Sequence, residues 1–141
     1  MPHQTLQPQE WAKPKGYANG VAASGKLIFV AGQVGWDAAG VFNSNSLAEQ
    51  VGQALRNIVR VLAEGQAAPS HIVRLTWFVL SREAYYREIK EIGAAYREVM
   101  GKHFPAMSVV EVSALMEARA LVEIEATAVV PGGADGRLAT G

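Results

Sequence analysis

The sequence predicts an α+β domain in which two amphipathic helices cover one face of a mixed sheet. Three observations predict it. Short β-rich runs with period-two alternation recur along the chain, two longer stretches place apolar residues at helical spacing, and Gly or Pro punctuates the gaps between them. At 141 residues, half of them hydrophobic, the chain suits one domain burying about two-thirds of its unfolded surface.

Residues 1–13, with Pro2 and Pro8, read as an extended lead-in, and the domain itself runs over 14–130. Tyr17–Ala23 and Lys26–Gln33 are two short strands joined at Ser24-Gly25 in what reads as a tight hairpin. Trp36–Phe42 is a third β-rich run around an Asp-Ala-Ala-Gly turn. Ser46 opens the first helix, with Glu49 completing a capping-box pattern. Its stripe is Leu47, Val51, Leu55, Ile58 and Leu62, and Gly65 is placed to close it in the left-handed conformation. Ile72–Leu80 is a strand. A second helix over 83–100 carries the stripe Tyr85, Ile89, Ile92, Tyr96 and Val99, and Gly101 ends it. Met107–Ala114 and Leu121–Val130 are the last strands, which makes six. The Gly-rich tail 131–141 reads as flexible.

Several strands are apolar on both faces. Ile28 and Val30 alternate with Leu27, Phe29 and Ala31, and Leu75, Trp77 and Val79 alternate with Thr76, Phe78 and Leu80. Two helices cover one face only, so the second is expected to be buried against other copies of the chain. On that face the last strand sets Leu121, Glu123, Glu125, Thr127 and Val129, and Glu111 from the neighbouring strand is expected to join them. Two readings of these carboxylates stand. They are solvated glutamates at the rim of an open sheet, or they line a pocket at a subunit junction where one of them orients a water.

Composition narrows the chemistry. Lys and Arg total 13 against 13 Asp and Glu, which argues against a dedicated nucleic-acid binder. With no cysteine there is no disulfide, no thiolate nucleophile and no Cys-ligated metal. His3, His71 and His103 lack ligand spacing, so no metal is expected. The first residues lack the apolar run of a signal peptide and no segment nears the ~20 apolar residues of a membrane span, so a cytoplasmic protein is expected.

The segments GYANGV (16–21), LIFVAGQVGWD (27–37), QALRNIVRVLAEGQA (53–67), FPAMSVVEV (104–112) and VEIEATAV (122–129) together closely resemble the RidA/YjgF family of reactive intermediate deaminases. The resemblance implies a chorismate-mutase-like fold assembled as a homotrimer, with clefts between subunits for a small-molecule metabolite. Enzymes of the family hydrolyse 2-imino or enamino acids to 2-keto acids and ammonia without cofactor or metal. It further implies that Glu123 orients the attacking water, that Tyr17 helps line the cleft, and that Gly32 is the turn glycine. Ala31 stands where a serine is common, and Met107 stands where an arginine grips the substrate carboxylate. Tyr17 and Glu123 are thus the candidate catalytic residues, and Met107, Ala31, Gly32 and Tyr96 the candidate substrate-binding ones. Because methionine donates no hydrogen bond, short 2-imino acids are expected to be poor substrates, with Arg119 or Arg74 as possible substitutes for the missing cation. A metabolite-binding trimer without turnover is the alternative. An endoribonuclease or translation inhibitor fits the zero net charge and the lack of a catalytic histidine pair poorly.

Overall fold

A computed structural model describes residues 3–132; most of the predicted tail, from 133 on, lies outside the described residues. Six strands and three helices follow in order: β1 (Gln4–Leu6), β2 (Gly20–Ala22), β3 (Lys26–Val34), α1 (Leu47–Glu64), β4 (Ile72–Val79), α2 (Arg82–Arg87), α3 (Ile89–Met100), β5 (Ala106–Glu111) and β6 (Val122–Val130). The predicted mixed α+β architecture is present, with the six strands divided between two sheets. Four form the main sheet in the order β3-β6-β4-β5, where only β4 and β5 run parallel. The other two form a separate antiparallel ladder.

That division corrects the predicted hairpin. β2 pairs with β1, from the lead-in, while β3 pairs with β6. Gly25 between them has φ +146°, and a Cβ there would collide with the Val130 carbonyl. The chain crosses the end of β6 at this point, and β3 continues along β6 rather than folding back on β2. Trp36 and Phe42 make a single bridge instead of a strand pair, around a turn whose Asp37 carboxylate accepts from the N–H groups of Ala39 and Val41.

The two predicted helical stripes fare differently. In α1, Leu47, Val51, Leu55, Ile58 and Leu62 are all buried, and Ser46 caps the helix by accepting from the Glu49 N–H. Each fully buried aliphatic side chain contributes about 1.5–3 kcal/mol, so this face, more than helix propensity, holds α1 in place. Gly65 does not take the left-handed conformation; Gln66 does, with φ +56°. The second helix breaks at Glu88, whose carboxylate accepts from the Ala48 N–H at 3.3 Å. The break leaves Ile89 exposed, while Ile92 and Tyr96 remain in the core.

Beneath the helices lie Leu75, Trp77, Val79, Val122, Ile124 and Ala128. The opposite face of the sheet carries Leu27, Phe29 and Val110 in the open, Phe29 being 72% exposed. Among the described residues no helix is long and apolar enough to cross a membrane.

Candidate functional site

The first polar feature grows out of an irregularity in β3. Val30 pairs with Ala126 but Gln33 pairs with Ile124, so Ala31 and Gly32 together face a single residue of β6, Glu125. Such a bulge bends the strand and re-aims its neighbours. Here it brings the Gly32 backbone against the half-buried carboxylate of Glu123; a Cβ on Gly32 would collide with it. Gly32 is required by this close approach and has an ordinary φ. The Gln33 side-chain amide turns back to the Ala31 carbonyl at 3.0 Å. Glu123 itself has no hydrogen-bond partner and no ion pair among the described residues. Its lone pairs are therefore available to a water or a ligand.

The second feature lies at the β5 side of the sheet. Ala18 forms a parallel bridge with Ala106, and its N–H donates to the Pro105 carbonyl at 3.0 Å. Asn19 is held in turn by Gln7, at 2.8 Å. These bonds fix Tyr17 beside the start of β5, at the edge of a depression of about 240 Å³. Met107, Ser108 and Arg74 line the same depression.

Within one chain the two features do not meet. Glu123 is in register with Phe78, whereas Met107 is in register with Leu75, three residues earlier on β4. Two strand spacings and three residues separate them, about 10 Å in each direction. The odd spacing also places them on opposite faces. Met107 thus stands on the helix side, half-buried against the core, and does not share the face of Glu123. Glu111, expected beside Glu123, follows the same register to the helix side, where it accepts from the Arg82 N–H at 2.7 Å. Glu125 is exposed, on the face that the alternation predicts.

Tyr96 belongs to neither feature. It is buried between Trp77 and Phe104, its hydroxyl donating to the His103 carbonyl at 2.5 Å, and burial pushes its pKa well above the ordinary tyrosine value. Arg119 is also committed, donating to the Phe42 carbonyl and the Asn45 side chain, both at 2.9 Å. The three histidines, distant in sequence, gather around residues 71 and 72. His3 bonds the His71 carbonyl and His103 the Ile72 carbonyl. Burial, then the charges of His3 and His103, lower the pKa of His71. Among the described residues no group of three or more His, Cys, Asp or Glu is placed to hold a metal ion.

Two larger clefts, about 740 and 520 Å³, flank α1 and contain none of the sequence-predicted residues. The Asp37 carboxylate, in the larger one, is already taken up by its own turn. Hydrogen bonds from Asn43, Val41 and Ala39, the first the largest, hold it below the usual aspartate pKa. What sequence reasoning missed is Asn19. It is a neutral polar residue with no distinguishing spacing, and only the fold brings it to the Tyr17 depression.

The bulged strand, the glycine-crossed glutamate and the tethered tyrosine segment can be set beside known proteins. Three of the solved structures that share the fold illustrate the likeness. A Rid-family protein of unknown function, YyfB from Yersinia pestis, is 31% identical over 92% of this chain and 100% of that one, with a TM-score of 0.80. A YjgF-family protein from Mycobacterium tuberculosis is 35% identical over 82% of this chain and 87% of its own, with a TM-score of 0.62. A second Yersinia pestis Rid-family protein, YyfA, is 28% identical over 91% of this chain and 99% of its own, at a TM-score of 0.65. None of the curated proteins compared with the chain matches it. The family model described as Endoribonuclease L-PSP matches residues 9–130, nearly the whole described chain, and the chain therefore belongs to that family, the YjgF/RidA group.

Proposed function

We propose that this chain hydrolyses an imine or enamine in a small-molecule cleft completed between the subunits of a homotrimer. The observation that carries the reading is the half-buried, unpartnered Glu123 carboxylate held against Gly32. It shares its face of the sheet with the exposed Leu27, Phe29 and Val110. Covering that face with further copies of the chain would remove apolar surface from water, and it would let the glutamate of one subunit meet the tyrosine of another.

In the reaction, water adds to the carbon of the C=N bond. Glu123 takes a proton from the water as the C–O bond forms and returns it to the nitrogen. From the resulting carbinolamine the hydroxyl proton passes through Glu123 to the nitrogen as the C–N bond breaks, giving a carbonyl product and ammonia. Tyr17 can donate a hydrogen bond to the substrate or to the developing amine. The reaction needs no redox change and asks for no cofactor. In the family pattern that the chain resembles, an arginine at position 107 would hold a carboxylate adjacent to the reacting carbon. Met107 offers only a polarizable apolar wall there.

The test measures keto acid and ammonia formed from imines generated in situ. Wild type is expected to act slowly on short 2-imino acids and faster on imines with an apolar substituent. Met107→Arg is expected to raise short-acid turnover about tenfold or more, since a charge-assisted hydrogen bond contributes about 1.5–3 kcal/mol. Met107→Arg/Glu123→Ala is expected to abolish that gain. Efficient wild-type turnover of the short acids would refute the role of Met107, and a gain that survives loss of Glu123 would refute that of the glutamate. No acceleration of any imine would leave a trimer that binds a metabolite without turning it over.

A further inference from the structure

We infer that His3, His71 and His103 form a proton-operated latch, closed while His71 is neutral, that holds the first strand and the Tyr17 segment to the body of the domain. The three rings come from places far apart in the chain, and each makes one hydrogen bond to the backbone of residues 68–72. The partners fix the tautomers. A carbonyl only accepts, so His3 donates from Nε2 to the His71 carbonyl at 3.2 Å, and His103 from Nε2 to the Ile72 carbonyl at 2.7 Å. A backbone N–H only donates, so the Nδ1 of His71 is bare where it accepts from the Ala68 N–H at 3.0 Å. The His71 N–H donates in return to the Ala68 carbonyl at 2.9 Å, and the two bonds close the 3₁₀ turn Pro69–His71 ahead of β4.

A proton on Nδ1 of His71 would set donor against donor and break one of those bonds. His3 and His103 keep theirs in either charge state, so His71 is the ring whose titration changes the structure. In acid, where histidine is a cation, the three rings also repel one another. No carboxylate offsets this: among the described residues none of the three forms an ion pair. β6, which packs against the turn with Ala128 in register with Ile72, carries no titratable residue beyond Glu125. The other charged residues on the adjoining segments are Glu64 at the exposed end of α1, Arg74 on β4, Lys102 beside His103, and Lys26 of β3, which donates to the Gly65 carbonyl at 2.9 Å. Burial, then the charges of His3 and His103, hold His71 below the usual histidine pKa. The contribution of the closed turn is therefore whole above about pH 6.5 and is lost as pH falls through the lowered value.

Opening reaches the tyrosine segment by two routes. His3 adjoins β1, a fully exposed strand of three residues whose only ladder partner is β2. So short a ladder is marginal by itself, and beyond it Gln7 holds Asn19 at 2.8 Å. His103 lies two residues before Pro105, whose carbonyl takes the Ala18 N–H at 3.0 Å. Acid thus loosens both bonds that position the stretch carrying Tyr17.

The experiment follows amide hydrogen exchange of the intact protein from about pH 7.5 to about pH 5, each rate divided by the intrinsic rate at that pH. Protection of β1 and of the Ala18 N–H is expected to fall about tenfold or more over that range, since one proton per opening gives up to tenfold per pH unit. The buried face of α1 is expected to keep its protection. The midpoint of the loss is expected to coincide with the ring titration of His71, read from its imidazole NMR signals. His71→Asn offers an uncharged acceptor in a similar place and is expected to keep protection level into acid, whereas His71→Ala is expected to be open throughout. Wild-type protection that does not change with pH, a midpoint away from the His71 titration, or full protection in His71→Ala would overturn the inference. An acid-induced loss that persists in His71→Asn would overturn it too. If His71→Asn is open throughout, the wild-type midpoint decides. Exchange reads the fold and not turnover, so the outcome is independent of whether any imine is hydrolysed.

Discussion

At the residue scale the decisive contact is that of Gly32 with Glu123. The position does not need glycine for its dihedral angles; it needs the absence of a side chain, because the carboxylate occupies the space of a Cβ. The colliding atoms belong to the end of a flexible side chain and not to backbone, so Glu123 can swing aside. Gly32→Ala is therefore expected to cost little stability, at the low end of the roughly 1–3 kcal/mol seen for overpacking. Imine hydrolysis, by contrast, is expected to fall at least tenfold, because the carboxylate leaves its place. Thermal denaturation and the imine assay, run on the same preparation, check both halves. A well-folded Gly32→Ala protein with full activity would remove Glu123 from the mechanism.

At the element scale, α1 does more than cover the sheet. Gln50 is buried and donates to the carbonyls of Ser44 and Arg119 at 2.9 and 3.0 Å. Its side-chain oxygen accepts from the Leu121 N–H at 2.8 Å. Two turns further along, Asn57 donates to the carbonyls of Val34 and Trp36 at 3.0 and 2.8 Å. These amides tie the helix to the end of β3 and the start of β6, the two strands that set Glu123 against Gly32. Replacing Gln50 by the similarly sized methionine would leave three backbone groups without partners, each costing about 1–3 kcal/mol if it stays dry. Gln50→Met is expected to destabilise the protein by about 3 kcal/mol or more, measured by denaturant unfolding. A loss below about 1 kcal/mol would mean that the three groups find other partners.

At the scale of the whole molecule, the face opposite the helices leaves large apolar side chains in water. Leu27 and Phe29, 56% and 72% exposed, flank the strand that carries the glutamates. Burial of such surface contributes about 25 cal/mol per Å², which favours covering it. Sedimentation equilibrium at micromolar concentration is expected to give about three times the single-chain mass of 15.1 kDa. Phe29→Glu would set a charge in the covered surface, and it is expected to shift the equilibrium toward single chains that keep their circular dichroism. A wild-type protein that sediments as a single chain would remove both the trimer and the shared cleft.

The sequence by itself determined the class of fold, the α1 stripe from Leu47 to Leu62, the Ser46 cap and the alternation that puts Glu123 and Glu125 on the uncovered face. All are local properties, set by periodicity and by bonds within a few residues. Its motifs also carried the family, because the residues quoted for it stand in order along nearly the whole domain. Which strands pair was decided by the tertiary structure. Local pattern made β2 and β3 a hairpin, whereas β2 went to β1 and β3 to β6, since partner choice depends on long-range packing that alternation does not encode. The parallel register of β5 on β4 then sent Met107 and Glu111 to the helix side, and the core took Tyr96. The same register left Arg74 beside Tyr17. Side-chain placement across a sheet is a sum of registers, and each register is fixed by contacts between residues far apart in the chain.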